Sequence, residues 1–269
     1  MKKYLVAGLM ACISAASAFP VAAQYTDTAG KAAAVTDSIP APGLNWNVPP
    51  VKRPFPYKSF ILPAGFVVYG VISLHTDALQ DINETVHKEV YVEAQPRKTN
   101  IDNYLQYAPA AAVYGLNIAG IHGKNNFVDR TILYGMSSLI MGVAVNVTKH
   151  VAGEIRPDGS NNLSFPSGHT ATAFASAEFL RQEYNDVSVW YGIAGYAAAA
   201  ATGYLRIYNN KHWVGDVVAG AGIGIISTRL AYWIYPAIKR SLFENKEVHT
   251  IVMPVYQEGS LGLGLVHHF

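Results

Sequence analysis

The chain has 269 residues, 51% of them hydrophobic and 14% charged, which suits one sizeable core and excludes a disordered or fibrous protein. Twenty Lys and Arg face eighteen Asp and Glu; two of the lysines, Lys2 and Lys3, sit in a leader, so the remainder is balanced and lacks the basic excess of a nucleic-acid binder. The single cysteine, Cys12, also lies in the leader, which excludes a disulfide framework, a cysteine metal site and a thiol nucleophile from the processed chain.

Residues 1–23 carry Lys2-Lys3, an apolar run from Tyr4 through Phe19 and Val21-Ala22-Ala23 before Gln24, the order of a secretory signal. The alternative is a lipoprotein signal ending at Leu9-Met10-Ala11-Cys12, which Met10 fits poorly. Residues 24–58 turn to Ala, Thr, Pro and Gly. Pro40, Pro42, Pro49, Pro50, Pro54 and Pro56 forbid a regular helix over the second half, so an extended arm is expected. Helical segments are then expected at Phe60 to Leu74, over an amphipathic stretch with Leu79, Ile82, Val86 and Val90 on one period, and at Tyr104 to Ile121. Further segments run from Thr131 to Thr148, Thr170 to Tyr184, Val187 to Tyr208 and Val214 to Tyr235. After Lys246, Thr250 to Tyr256, a Gln257-Glu258-Gly259 turn and the alternating Leu261, Leu263 and Leu265 predict a β-hairpin. The expected fold is all-α: a bundle of about six helices over 59–245, with the extended N-terminal arm and a short C-terminal β-hairpin over 246–269.

Crossing a bilayer takes about 20 predominantly apolar residues. Only Phe60 to Leu74 and Thr131 to Thr148 approach that without a charge; the other segments carry Asp216, Arg229, Glu178, Arg181 or Arg206, or are diluted by Ala, Gly, Tyr and Asn. A buried helical core and a shallow membrane bundle both stay open.

Three short motifs follow in order: Lys149 ahead of Arg156-Pro157, Phe165 ahead of Pro166-Ser167-Gly168-His169, and Arg206 ahead of His212 and Asp216. Singly, each has a structural reading. Lys149 complements a helix C-terminus, Ser167 caps a helix, and Asp216 pairs with His212. Their joint spacing resembles the three-part signature of the type 2 phosphatidic acid phosphatase and vanadium haloperoxidase superfamily, in its bacterial lipid phosphatase branch. The resemblance is close from Lys149 to Asp216 and looser over the flanking helices.

The residues suit phosphoryl chemistry. Charge in such a transition state spreads over the equatorial oxygens, so positioned cations are the main catalytic resource, and Lys149, Arg156 and Arg206 offer three. Each guanidinium grips two oxygens, while Lys149 acts as a point charge. Ser167 and Gly168 add a hydroxyl and backbone N–H groups at the start of a helix beginning near His169, where the dipole favours an anion. His212 and Asp216 are four apart, so on a helix they share a face and the carboxylate holds one imidazole nitrogen, leaving the other basic. Tyr208-Asn209-Asn210 is a turn that swings Arg206 and His212 towards one pocket, and His169 is left to protonate a departing alkoxide.

The resemblance implies that His212 forms a phosphohistidine hydrolysed by water, with His169 as acid and then base and Asp216 orienting His212. Lys149, Arg156, Ser167, Gly168 and Arg206 would hold the phosphate, with no metal and no other cofactor. The family usually has Ser before the arginine of the third motif; Leu205 stands there instead, and one lost hydrogen bond is expected to cost about 1 kcal/mol. The implied activity is an exported, periplasm-facing envelope phosphatase, membrane-associated and in one reading integral to the inner membrane. Its partners are a phosphorylated lipid or small phosphoester, and no nucleic acid. Undecaprenyl pyrophosphate, lipid A phosphate, phosphatidylglycerol phosphate and phosphatidic acid are the lipid candidates. A soluble nonspecific acid phosphatase, a vanadate-dependent haloperoxidase and a non-catalytic envelope module that docks through its hairpin are the alternatives.

Topology adds a constraint. If Phe60 to Leu74, Tyr104 to Ile121 and Thr131 to Thr148 all crossed after a cleaved leader, Lys149 would emerge in the cytoplasm, whereas polytopic relatives place the site outward. Either one segment does not cross, or the core is periplasmic, or the leader acts otherwise.

Overall fold

A computed structural model describes residues 54–240 and the backbone of Thr250–Gln257 and Ser260–His267. The leader and nearly all of the arm lie outside the described residues. Among the described residues there are eight α-helices rather than about six: α1 (Tyr57–Ser73), α2 (Asp77–His87, continued by a π-turn over Lys88–Val92), α3 (Ile101–Leu105), α4 (Ala108–Ile118), α5 (Phe127–Ala152), α6 (Gly168–Tyr184), α7 (Val189–Tyr208) and α8 (Val214–Lys239).

The expected Tyr104 to Ile121 helix is broken. Pro109 sits in the first turn of α4, where its missing N–H costs nothing; inside a helix continuous with α3 it would lose a bond and meet the carbonyl four residues back. The chain also bends by 92° between α1 and the 77–92 segment. Thr250–Gln257 (β1) and Ser260–His267 (β2) run antiparallel, pairing Thr250 with His267 through Gln257 with Ser260; the connecting residues 258–259 lie outside the described ones.

The core forms around α6, which packs on α4, α5, α7 and α8. Ala171, Ala173, Phe174, Ala175, Ala177 and Phe179 are each no more than 1% exposed, and burying each Phe contributes about 1.5–3 kcal/mol. Small residues set the spacing. A Cβ on Gly220 of α8 would lie 2.5 Å from the carbonyl oxygen of Ser167, so α8 reaches the start of α6 only where no side chain stands.

Charged residues inside these helices pair with one another. Buried Glu178 accepts from Arg181 (Nε at 2.8 Å, Nη2 at 2.6 Å), from Arg229 (Nε at 2.9 Å) and from the Tyr196 hydroxyl. The helices α5 and α8 are each long and apolar enough to cross a membrane, and α1 with the 77–92 segment passes the same test as one bent unit. Leu139, Val143, Val147 and Val151 of α5 recur every four residues and are all exposed, an apolar stripe down one side of the helix.

Candidate active site

Helix ends and loops at one end of the bundle bring the three motifs together. Gly153, with φ of 60°, ends α5 in the left-handed region. In the last turn of α5, Lys149 donates through Nζ to the carbonyls of Leu163 (2.6 Å) and Ser164 (3.2 Å), which ties the first motif to the second. The third motif is tied to both. Ser164 Oγ donates to Asp216 Oδ2 at 2.5 Å, and the Ser167 N–H donates to the Asp216 carbonyl at 3.0 Å. The Trp213 indole donates to the Ile155 carbonyl at 2.9 Å, and Lys211 pairs with Asp158 at 2.6 Å.

Ser167 is the cap of α6. Its Oγ accepts the Thr170 N–H at 3.4 Å and lies 2.8 Å from Thr170 Oγ1. Gly168 opens the helix and His169 stands in its first turn, Nε2 2.8 Å from Asn103 Oδ1; an oxygen there places a proton on Nε2. On α7, Arg206 is buried and donates through Nη1 to Asp102 Oδ2 at 2.5 Å. Asn209 caps the end of α7 and Asn210 takes φ of 59°, a conformation asparagine tolerates, and the turn carries the chain to His212.

The pairing of His212 with Asp216 is real but not made across a helical face, because His212 precedes the helix. Asp216 is the third residue of α8 and reaches back over its N-terminus, accepting the Trp213 N–H at 2.9 Å and meeting His212 Nδ1 at 3.2 Å. The capping requirement of α8 thus sets the orientation of the imidazole. With Nδ1 directed at a carboxylate, His212 Nε2 is the basic nitrogen.

Both imidazoles are held neutral at ordinary pH. Burial pushes His212 down to about 4, against the Asp216 carboxylate that favours its protonation. Burial and then the Arg206 guanidinium push His169 down to about 4 as well. Lys149 and Arg156 also bear on His169, and Lys149 and Arg206 on His212, so the cations and both imidazoles share one electrostatic neighbourhood.

Among the described residues, five buried side-chain N or O atoms have no hydrogen-bond partner, and four belong here: Arg156 Nε, Arg206 Nε, Glu154 Oε2 and Asp216 Oδ1. Buried polar groups are normally paired. Two unspent guanidinium donors beside a lysine and two imidazoles can bind an anion and expose it to a nucleophile. Sequence reasoning missed Asp102, Asn103, Glu154 and Ser164. Asp102 and Asn103 come from α3, pinned by Asn209, which bonds the Thr99 carbonyl (2.9 Å) and Asp102 Oδ1 (3.2 Å). Their only signal was a polar pair ahead of an Ala-rich run.

Residues 130–240 match the model of the PAP2 superfamily. The chain is 33% identical over 223 residues to a lipid A 1-phosphatase of Porphyromonas gingivalis, over 82% of this chain and 46% of that protein; it spans about half the length of this relative. It is 27% identical over 201 residues to phosphatidylglycerophosphatase B of Bacillus subtilis, over 68% of this chain and 98% of that one. A solved transmembrane PAP2 type phosphatidylglycerolphosphate phosphatase from Bacillus subtilis superposes with a TM-score of 0.45 at 21% identity, covering 66% of this chain and 98% of that one.

Proposed function

The chain belongs to the PAP2 superfamily, and on that premise we propose that it is an envelope phosphatase that removes phosphomonoester or pyrophosphate groups from a lipid. The observation that carries this reading is the pair of unpartnered guanidinium nitrogens, Arg156 Nε and Arg206 Nε, beside Lys149 and the two imidazoles. Lys149, Arg156, Arg206 and the N-terminus of α6 at Gly168 hold the phosphoryl oxygens, and Ser167 offers its hydroxyl proton while Oγ accepts from Thr170.

His212 Nε2 attacks phosphorus, the P–O bond to the leaving alcohol breaks, and His169 delivers a proton to that oxygen. Water then attacks the phosphohistidine, His169 takes its proton, and phosphate departs with His212 restored. Burial first, and then the nearby cations, keep His169 neutral; a bound phosphate dianion neutralises those cations, so substrate binding raises the basicity of His169.

A lipid is favoured over a soluble phosphoester by the exposed apolar stripe of α5, which is stabilised in hydrocarbon and costly in water. Ser59 and Gly70 of α1 lie against Arg229 and Gly215 of α8, and Asp129 of α5 meets Lys239, so α1 and α5 run the same way and both end at the site. The chain returns from the site end between them, through α3 and α4, and the topology constraint raised by the sequence stands. The accompanying division is a leader over 1–23, an arm over 24–58, a catalytic domain over 59–245 and a hairpin extension over 246–269.

The test is phosphate release by the purified, detergent-solubilised protein from lipid A, phosphatidylglycerol phosphate, undecaprenyl pyrophosphate and phosphatidic acid in the presence of EDTA. Release from at least one of them is expected. Release from none, or only after a divalent metal is restored, contradicts the proposal.

A further inference from the structure

Two of the four unpartnered atoms at the site are donors and suit an anion; the other two are carboxyl oxygens and do not. Asp216 Oδ2 accepts from Ser164 Oγ, the Trp213 N–H and His212 Nδ1, whereas Asp216 Oδ1 has no donor at all. Glu154, in the loop after α5, is in the same position: Oε2 is buried and meets no N–H or O–H. The two carboxyl groups lie within hydrogen-bonding reach of each other. Two ionised carboxylates so placed would repel, and each would keep an unsatisfied oxygen. One proton between them satisfies both oxygens at once.

We propose that Glu154 is a positioning residue, kept as a neutral carboxylic acid that donates from Oε2 to Asp216 Oδ1 and thereby fixes Asp216 against His212. This rests on the phosphatase reading only for its effect on turnover; the proton sharing stands on the geometry. Asp216 is then held on both oxygens, by the cap of α8 and Ser164 on one side and by Glu154 on the other. The first motif reaches the nucleophile through this contact as well as through Lys149.

The groups facing Glu154 agree with a neutral acid. Burial and the Asp216 carboxylate push it up to about 9, against Lys149, which favours ionisation. Arg156 follows two residues later, and His212, on which Arg206 and Lys149 also bear, meets the Oδ2 of Asp216. Lys149 spends its ammonium on the carbonyls of Leu163 and Ser164 rather than on Glu154.

The experiment compares the full-length wild type with Glu154→Gln and Glu154→Ala in detergent, by turnover of nitrophenyl phosphate across pH and by infrared difference spectroscopy. The amide of Glu154→Gln donates to Asp216 Oδ1 without titrating. It is therefore expected to keep kcat within about threefold, while Glu154→Ala lowers kcat about tenfold at unchanged KM, the cost of leaving Asp216 Oδ1 unpaired. The wild type should lose kcat as pH rises through about 9, and Glu154→Gln should not. At neutral pH the wild-type-minus-Glu154→Gln spectrum should carry the C=O stretch of a protonated carboxyl. Carboxylate bands in that spectrum overturn the proposal, as does a Glu154→Gln protein as impaired as Glu154→Ala. A wild type that releases no phosphate from any substrate defeats the phosphatase reading instead, and the infrared result still decides the state of Glu154.

Discussion

Burial decides the protonation state of both imidazoles at the proposed site. His212 has a free-solution value near 6.5 and is pushed down to about 4 in the fold, so the folded state prefers the neutral ring. A base with a lowered folded value contributes stability that is complete above its unfolded value and is lost as pH falls, here between about 6.5 and 4. The loss amounts to about 3 kcal/mol if the shift is borne by this one group. Melting temperature should fall through that window in the wild type and fall less in His212→Asn; identical slopes would contradict the assignment. Leu205 is the other informative single position. Leu205→Ser restores the hydroxyl usual in the family and is expected to lower KM about fivefold, roughly 1 kcal/mol, with kcat little changed; an unchanged KM would place that hydroxyl away from the phosphate. The sequence singles out Lys149, Arg156, Ser167, His169, Arg206, His212 and Asp216 by a joint spacing that resembles a family signature, and the fold gathers them at one end of the bundle. Asp102 and Glu154 were not legible in this way, since their partners lie 104 and 62 positions away, at Arg206 and Asp216, and no local pattern announces a pairing across that separation.

Lys149, His169 and His212, the groups proposed for catalysis, each stand at the end of an element, and what closes the element also aims the group. Gly153 ends α5 behind Lys149, Ser167 starts α6 ahead of His169, and Asp216 caps α8 while holding His212. The approach of α8 to α6 therefore sets the spacing of the proposed site. Gly220→Ala would set a methyl 2.5 Å from the Ser167 carbonyl and should cost about 1–3 kcal/mol while lowering kcat, because Ser167 and Asp216 are forced apart. Gly142→Ala meets nothing within 4 Å and should stabilise α5 by about 0.5–1 kcal/mol with turnover unchanged. Thermal melts and kcat on both variants check this, and equal effects would rule out the spacing argument. Helix type was legible from periodicity, but helix number was not: Pro109 restarts the chain inside an apolar run that reads as continuous, and α3 is too short to show a period.

For the whole molecule the ruling question is how an apolar exterior coexists with charged helices. Hydropathy alone left membrane crossing open because Glu178, Arg181 and Arg229 each count against it, yet in the fold both guanidinium groups pair with the buried Glu178 carboxylate, which lowers the cost of bringing them near a bilayer. The exposed Leu139, Val143, Val147 and Val151 then face hydrocarbon, and carbonate extraction should leave the protein in the membrane pellet; complete release would contradict membrane integration. The central claim is that cations gathered from distant motifs hold a phosphoryl group while His212 attacks it. The most direct measurement is mass spectrometry of the acid-sensitive adduct after brief exposure of His169→Ala protein, in which hydrolysis is slowed, to a phosphorylated lipid that the wild type turns over. A phosphoryl group on His212, absent when His212→Ala is added, is the predicted result; phosphate release at the wild-type rate by His212→Ala, or a phosphoryl group on another residue, would contradict it.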